Sequence, residues 1–184
     1  MNLQEKKLVP FKQNLHDSCL VAAFLMISGI SSDDENAKKA EKEIFLAGEK
    51  KTHDFWIQSM LNSMLKFTDK KICLVVDNKF FAKTLSRGLQ NNDRIEISQE
   101  KISTSLITKL TEKYFLAINL DNQNLGDWAH APHWVAVEKA SRGKITFIDP
   151  NTAGRRIFSE EKLDLAIASL NNHLRICPLL VYLK

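Results

Sequence analysis

Gln13-Asn14-Leu15-His16-Asp17-Ser18-Cys19 runs directly into the apolar stretch 20–27, Leu-Val-Ala-Ala-Phe-Leu-Met-Ile. Asp17 or Ser18 can cap a helix here, and Gly29 can end it, so the pattern predicts a helix over residues 19–28. A helix that is apolar nearly all round is buried on every side, which makes this one the central helix of the fold. It also places Cys19 at the first turn, where unpaired amides and the positive end of the helix dipole favour a thiolate. The lead-in, residues 1–15, reads as extended, with Pro10 discouraging helix.

Working outward, Ser31-Ser-Asp-Asp-Glu35 caps a charged helix over 34–47 that Gly48 ends, and a third helix spans 54–67 with Phe55, Met60, Leu61, Met64 and Leu65 near one face. The pattern then changes to strands at 71–76 and 94–98, with a short helix at 79–85 closing near Gly88 and an amphipathic helix at 99–113. Strands follow at 114–120, 133–139, 144–149 and 174–183, interrupted by a helix over 160–171 that Ser159 caps. Residues 121–132, rich in Asn and Asp, read as a surface loop. Helices first and an antiparallel sheet second is the α+β pattern.

The 184 residues suffice for one domain over 1–184 with a sizeable core, and 44% hydrophobic with 26% charged residues is ordinary globular composition. A net charge of +4, with Lys and Arg scattered among acids as in Lys38-Lys-Ala-Glu-Lys-Glu43, argues against a nucleic-acid partner. No apolar run approaches the ~20 residues of a membrane span, and Met1-Asn-Leu-Gln-Glu-Lys-Lys7 lacks the apolar core of a signal peptide. The expectation is therefore a cytoplasmic protein, or one exported without a cleavable signal. Three cysteines are an odd number for a disulfide framework. Cys73 and Cys177 lie in apolar, strand-like runs and are expected to be inert core residues.

A thiol nucleophile needs a base, and of the five histidines His133 is the best placed. It opens the run His133-Trp-Val-Ala-Val-Glu-Lys139, whose hairpin partner across Ser141-Arg-Gly143 is Lys144-Ile-Thr-Phe-Ile-Asp149. A three-residue turn puts residues 133 and 149 on one face, where the Asp149 carboxylate can orient the imidazole; an even turn puts them on opposite faces. Gln13 supplies an amide which, beside the backbone N–H of Cys19, forms an oxyanion site.

Gln13 six residues before Cys19 at a helix start, His133 opening one strand, and Asp149 ending the next in Ile-Asp-Pro resemble the papain-like cysteine peptidases, most closely the peptidase C39-like family. Leu20 stands where many C39-like members have Gly after the nucleophile. The resemblance implies a helical lobe, with the nucleophile on its central helix, packed on an antiparallel β-sheet lobe. It makes Cys19 the nucleophile, His133 the base and acid, Asp149 the orienting carboxylate and Gln13 the oxyanion donor, acting on a peptide or protein substrate without cofactor or metal. Peptide or isopeptide hydrolysis leads; acyl transfer, deamidation or transglutamination uses the same acyl-enzyme.

Trp128, in the polar loop, and Trp134, beside His133, are the candidate substrate contacts. Other readings compete. Cys19 alone is equally a small apolar filler of a buried helix. His16-Asp-Ser-Cys19 and His130-Ala-Pro-His133 together offer one cysteine and three histidines to zinc, leaving Gln13 and Asp149 unused. A papain-like domain that binds a partner without turnover is the third.

Overall fold

The computed structural model describes residues 7–30, 35–50, 56–89 and 92–184. Helix α1 (Cys19–Ser28) falls where the sequence places it, with Cys19 to Ile27 all buried and Gly29 at φ 79° closing it in the left-handed conformation that glycine adopts without steric cost. Its apolar surface is covered by strands on one side and by α2 (Glu35–Glu49) on the other. α3 (Trp56–Met64) packs against α2 and runs on into a 3-10 turn at Leu65–Phe67. The expected cap at 31–34, the expected helix start at Asp54 and Phe55, and His53 lie outside the described residues.

Gly48 does not end its helix. It lies inside α2, and a Cβ built on it would stand 2.7 Å from Met60 Cγ and 3.0 Å from Met60 Sδ, so the glycine serves the close approach of α2 to α3.

The remaining elements are β1 (Ile72–Val76), α4 (Lys79–Gly88), β2 (Ile95–Gln99), α5 (Thr104–Thr111), β3 (Leu116–Asp121), β4 (Pro132–Ser141), β5 (Lys144–Asp149), β6 (Gly154–Ser159), α6 (Glu160–Ser169) and β7 (Leu179–Leu183). The seven strands form one sheet in the order β2-β1-β7-β3-β4-β5-β6. It is mixed rather than antiparallel throughout. β1 and β2, joined through α4, pair in parallel, because two neighbouring strands linked by a helical crossover run the same way. All other pairs are antiparallel. The class is α+β.

Other boundaries moved for local reasons. Gln99 belongs to β2, and α5 starts only after Ser103, whose hydroxyl oxygen accepts the Leu106 N–H at 3.4 Å. Residues 170–174 wind into a π-helical turn ended by Arg175 at φ 57°, so β7 begins after Pro178 and Cys177 stays outside it. β6 was not expected. Its exposed Arg155, Ile157 and Ser159 alternate with half-buried and buried residues on an edge strand, and Arg-Arg obscures that alternation in the sequence.

Two apolar cores result, one on each face of the sheet. On one face Leu74, Val76, Ala117, Trp134, Ala136 and Ile148 pack with α1 to α4. On the other, Val75, Ile118, Val135, Phe147 and Leu180 pack with α5 and α6. β1, β3 and β7 are buried at every position, which removes the two-residue hydrophobic alternation from their sequences. Among the described residues, no helix is long and apolar enough to cross a membrane.

Candidate active site

The β4–β5 hairpin decides the site's geometry. Ser141 pairs with Lys144, so the turn is Arg142-Gly143, two residues with φ of 53° and 73°, and not the expected three. Across a regular ladder, that even turn would place residues 133 and 149 on opposite faces. The ladder is not regular. Lys139 pairs with Thr146 but Val137 pairs with Phe147, leaving Glu138 as an extra residue on β4. The bulge adds the residue that the turn lacks. Ala136 then faces Ile148, and His133 lies one diagonal step from Asp149 on the same face.

The two side chains meet. His133 Nε2 and Asp149 Oδ1 are 2.9 Å apart, with His133 4% and Asp149 3% exposed. Asp149 Oδ1 also accepts the Asn151 N–H at 3.0 Å, and Oδ2 faces Arg156 Nη2 at 3.3 Å. Cys19 is the other titratable neighbour of the imidazole, close enough to raise its pKa. Burial pushes the imidazole's pKa down, but the bond to Asp149, the bond to Cys19 and the charges of both outweigh it and hold His133 up at about 9. Burial pushes Asp149 up, yet the His133 bond and charge, the Asn151 N–H and Arg156 leave it below the usual carboxylate range. Cys19 at the start of α1, His133 near the start of β4 and Asp149 at the end of β5 are thus brought together, with the His133–Asp149 pair hydrogen-bonded. The other two thiols have no such setting: burial raises both buried Cys73 and half-buried Cys177.

Gln13 is fixed by its backbone, whose N–H donates to the Pro150 carbonyl at 2.9 Å, tying the lead-in to the residue after Asp149. Its Nε2 donates to the Leu15 carbonyl at 3.2 Å, and its Oε1 is buried without a hydrogen-bond partner. Trp128 is 92% exposed on the 126–131 loop, free to meet another molecule. Trp134 is 5% exposed and belongs to the core beneath α1, so its position is that of a wall residue rather than an open contact.

The residues of the zinc reading are dispersed among other partners. His16 is exposed beside Asp17, His130 Nδ1 lies 2.5 Å from Asp121 and its ring stacks on His173 at 4.3 Å, and His133 belongs to Asp149. Among the described residues, no group of three or more His, Cys, Asp or Glu side chains is arranged to hold a metal ion.

Three residues at the site escaped the sequence reading. Glu138, the bulge residue, accepts the Leu8 N–H on Oε1 at 2.8 Å and pairs with Arg155 at 3.1 Å, fastening the lead-in to the sheet. Arg156 joins Asp149 to the Leu125 carbonyl, which its Nη1 reaches at 2.5 Å. Glu41 on α2 is fully buried against the Asn14–Ser18 loop. Each reads in sequence as an ordinary surface charge; a lone acid on an otherwise apolar inward helix position was the available signal for Glu41.

The chain matches no family model and no curated protein.

Proposed function

We propose that the protein is a papain-like cysteine hydrolase that cleaves an amide bond, peptide or isopeptide, through a Cys19-His133-Asp149 triad and an acyl-enzyme. The observation that carries this reading is the buried His133–Asp149 pair, 2.9 Å apart, with Cys19 close enough to the imidazole to raise its pKa. A core cysteine has no need of a buried His–Asp pair, and a buried imidazole held in its charged form is the environment a nucleophilic thiol requires.

In the proposed reaction the imidazole already carries the proton it shares with Cys19, and the sulfur attacks the carbonyl carbon. The oxyanion so formed takes hydrogen bonds from the Cys19 backbone N–H, which has no partner within the helix, and from Gln13 Nε2, whose second N–H remains beyond its bond to Leu15. His133 then protonates the leaving amine as the C–N bond breaks. Water, losing its proton to His133, attacks the thioester and releases the acid, restoring the thiol. Asp149 keeps its negative charge throughout and fixes the ring with Nε2 protonated. Trp128 offers an exposed aromatic face to the substrate. If an amine rather than water reaches the thioester, the same site performs acyl transfer.

The test is labelling of the protein with iodoacetamide at neutral pH, with Cys19→Ala and His133→Ala alongside. Selective labelling of Cys19, faster than an unperturbed thiol and slowed by His133→Ala, is the expected result. A Cys19 that reacts no faster than a free thiol, or is indifferent to His133, rejects the reading.

A further inference from the structure

Glu41 is a buried charged side chain that the proposed chemistry leaves unexplained. It sits on α2, a helix rich in Lys and Glu, yet it is 0% exposed. A buried carboxylate is stable only when its oxygens are filled with donors, and all of the donors here come from a single loop. Oε1 accepts the Asn14 N–H at 2.8 Å, the Ser18 hydroxyl at 2.6 Å and, at 3.4 Å, the Leu15 N–H. Oε2 accepts Asn14 Nδ2 at 2.7 Å. Four polar groups of one loop thus converge on the two carboxylate oxygens of Glu41.

That loop is the connection between the two proposed oxyanion donors, the Gln13 amide and the Cys19 N–H. Its upstream end is already held, because the Gln13 N–H bonds to Pro150. Its downstream end turns through Asp17 in the left-handed region, at φ 65°, before α1 begins. A non-glycine residue costs energy there, so something must hold the turn. Ser18, the residue before α1, makes no side-chain cap to the helix; its hydroxyl is spent on Glu41 and lies within 2.8 Å of the Leu15 carbonyl.

We infer that Glu41 is a positioning residue for the oxyanion site: from the neighbouring helix it clamps the Asn14–Ser18 loop and so sets the spacing of Gln13 and the Cys19 N–H. The inference rests on the proposed thiol chemistry. It touches only steps that pass through an oxyanion, which gives it a signature that a general loss of structure lacks.

Two probes separate the cases. p-Nitrophenyl acetate acylates a thiol through a tetrahedral oxyanion, releasing p-nitrophenolate, whereas iodoacetamide alkylates it by direct displacement of iodide without one. In Glu41→Gln the amide oxygen takes the place of Oε1 and the NH2 group faces Asn14 Nδ2, donor against donor. Acylation of Cys19 is expected to slow about 10- to 100-fold, the scale of displacing an oxyanion donor, while alkylation changes by less than about threefold. Adding Asn14→Asp supplies an acceptor for that NH2 group, and the double variant is expected to recover acylation to within a few-fold of wild type. Ser18→Ala removes the 2.6 Å bond without stranding the carboxylate, and should give a smaller loss of the same selectivity even if Glu41→Gln folds poorly.

Equal loss of both rates in the Ser18→Ala variant, or acylation unchanged in a folded Glu41→Gln protein, overturns the positioning role. Wild-type Cys19 alkylating like a free thiol instead removes the underlying thiol reading. The two failures are thus told apart by the wild-type alkylation rate.

Discussion

Replacing Asp149 by Asn removes the first of the influences that raise His133 and leaves the burial that lowers it. In the wild-type protein the imidazole stands at about 9 against an ordinary 6.5. At about 1.4 kcal/mol per pH unit, that difference makes the charged ring worth roughly 3 kcal/mol to the folded state. Because the folded value is the higher one, this contribution is fully present below pH ~6.5 and is lost as the pH rises through about 9. Unfolding in urea, measured from pH 6 to 10, should therefore show wild-type stability falling across that interval. Asp149→Asn should flatten the fall to a fraction of it. The His133 Cε1 proton resonance reads the same event directly, and in Asp149→Asn its titration should move down by at least one pH unit. A wild-type imidazole titrating near 6.5, or one indifferent to Asp149→Asn, refutes the reasoning, because then the 2.9 Å contact does not hold a charged ring.

Other expectations follow from single contacts. Asp149 itself is held below the carboxylate range, so its share of stability is present above pH ~4 and lost as the pH falls below its lowered value; acid unfolding of Asp149→Asn should show a weaker pH dependence than wild type. Arg156→Ala loses the 3.3 Å contact to Asp149 Oδ2 and the bond to Leu125, and should slow iodoacetamide labelling of Cys19 a few-fold while His133→Ala slows it far more. Gly48→Ala, which in an open helix gains up to ~1 kcal/mol, should here cost about 1–3 kcal/mol in urea unfolding because the new methyl meets Met60, and Met60→Ala added to it should remove that extra cost. Asp121→Ala strands the donors of Ser169, His130 and Gln123 around a fully buried site, and a loss of about 1–3 kcal/mol is expected on unfolding.

α1 was legible because its information is local. An unbroken apolar run closed by Gly29 specifies a buried helix and its C-terminal end without reference to anything distant, whereas the expected Ser18 cap is not made because that hydroxyl goes to Glu41. The same local legibility holds for Ser159, whose cap marks the start of α6. The sheet was legible only in pieces. Strands buried on both faces lose their alternation, so nothing in 72–76 or 179–183 reveals which strand is the neighbour, and the parallel β1–β2 pair and the edge strand β6 emerged only from the assembled order.

The candidate site divides along the same line. Residue types and spacing single out Cys19, His133, Asp149 and Gln13, because a thiol at a helix start and a histidine and an aspartate on adjacent strands are each local features. Whether His133 and Asp149 share a face is a matter of parity, and two-residue turns and bulges cannot be weighed from the sequence alone. The turn at Arg142-Gly143 has the wrong parity, and the bulge at Glu138 reverses it. Glu138 takes that irregular position where its carboxylate bonds Leu8 and Arg155, partners 130 and 17 residues away. The order of chemical groups was set by the chain itself, while their meeting depended on long-range bonds that exist only once the sheet and the lead-in are packed together.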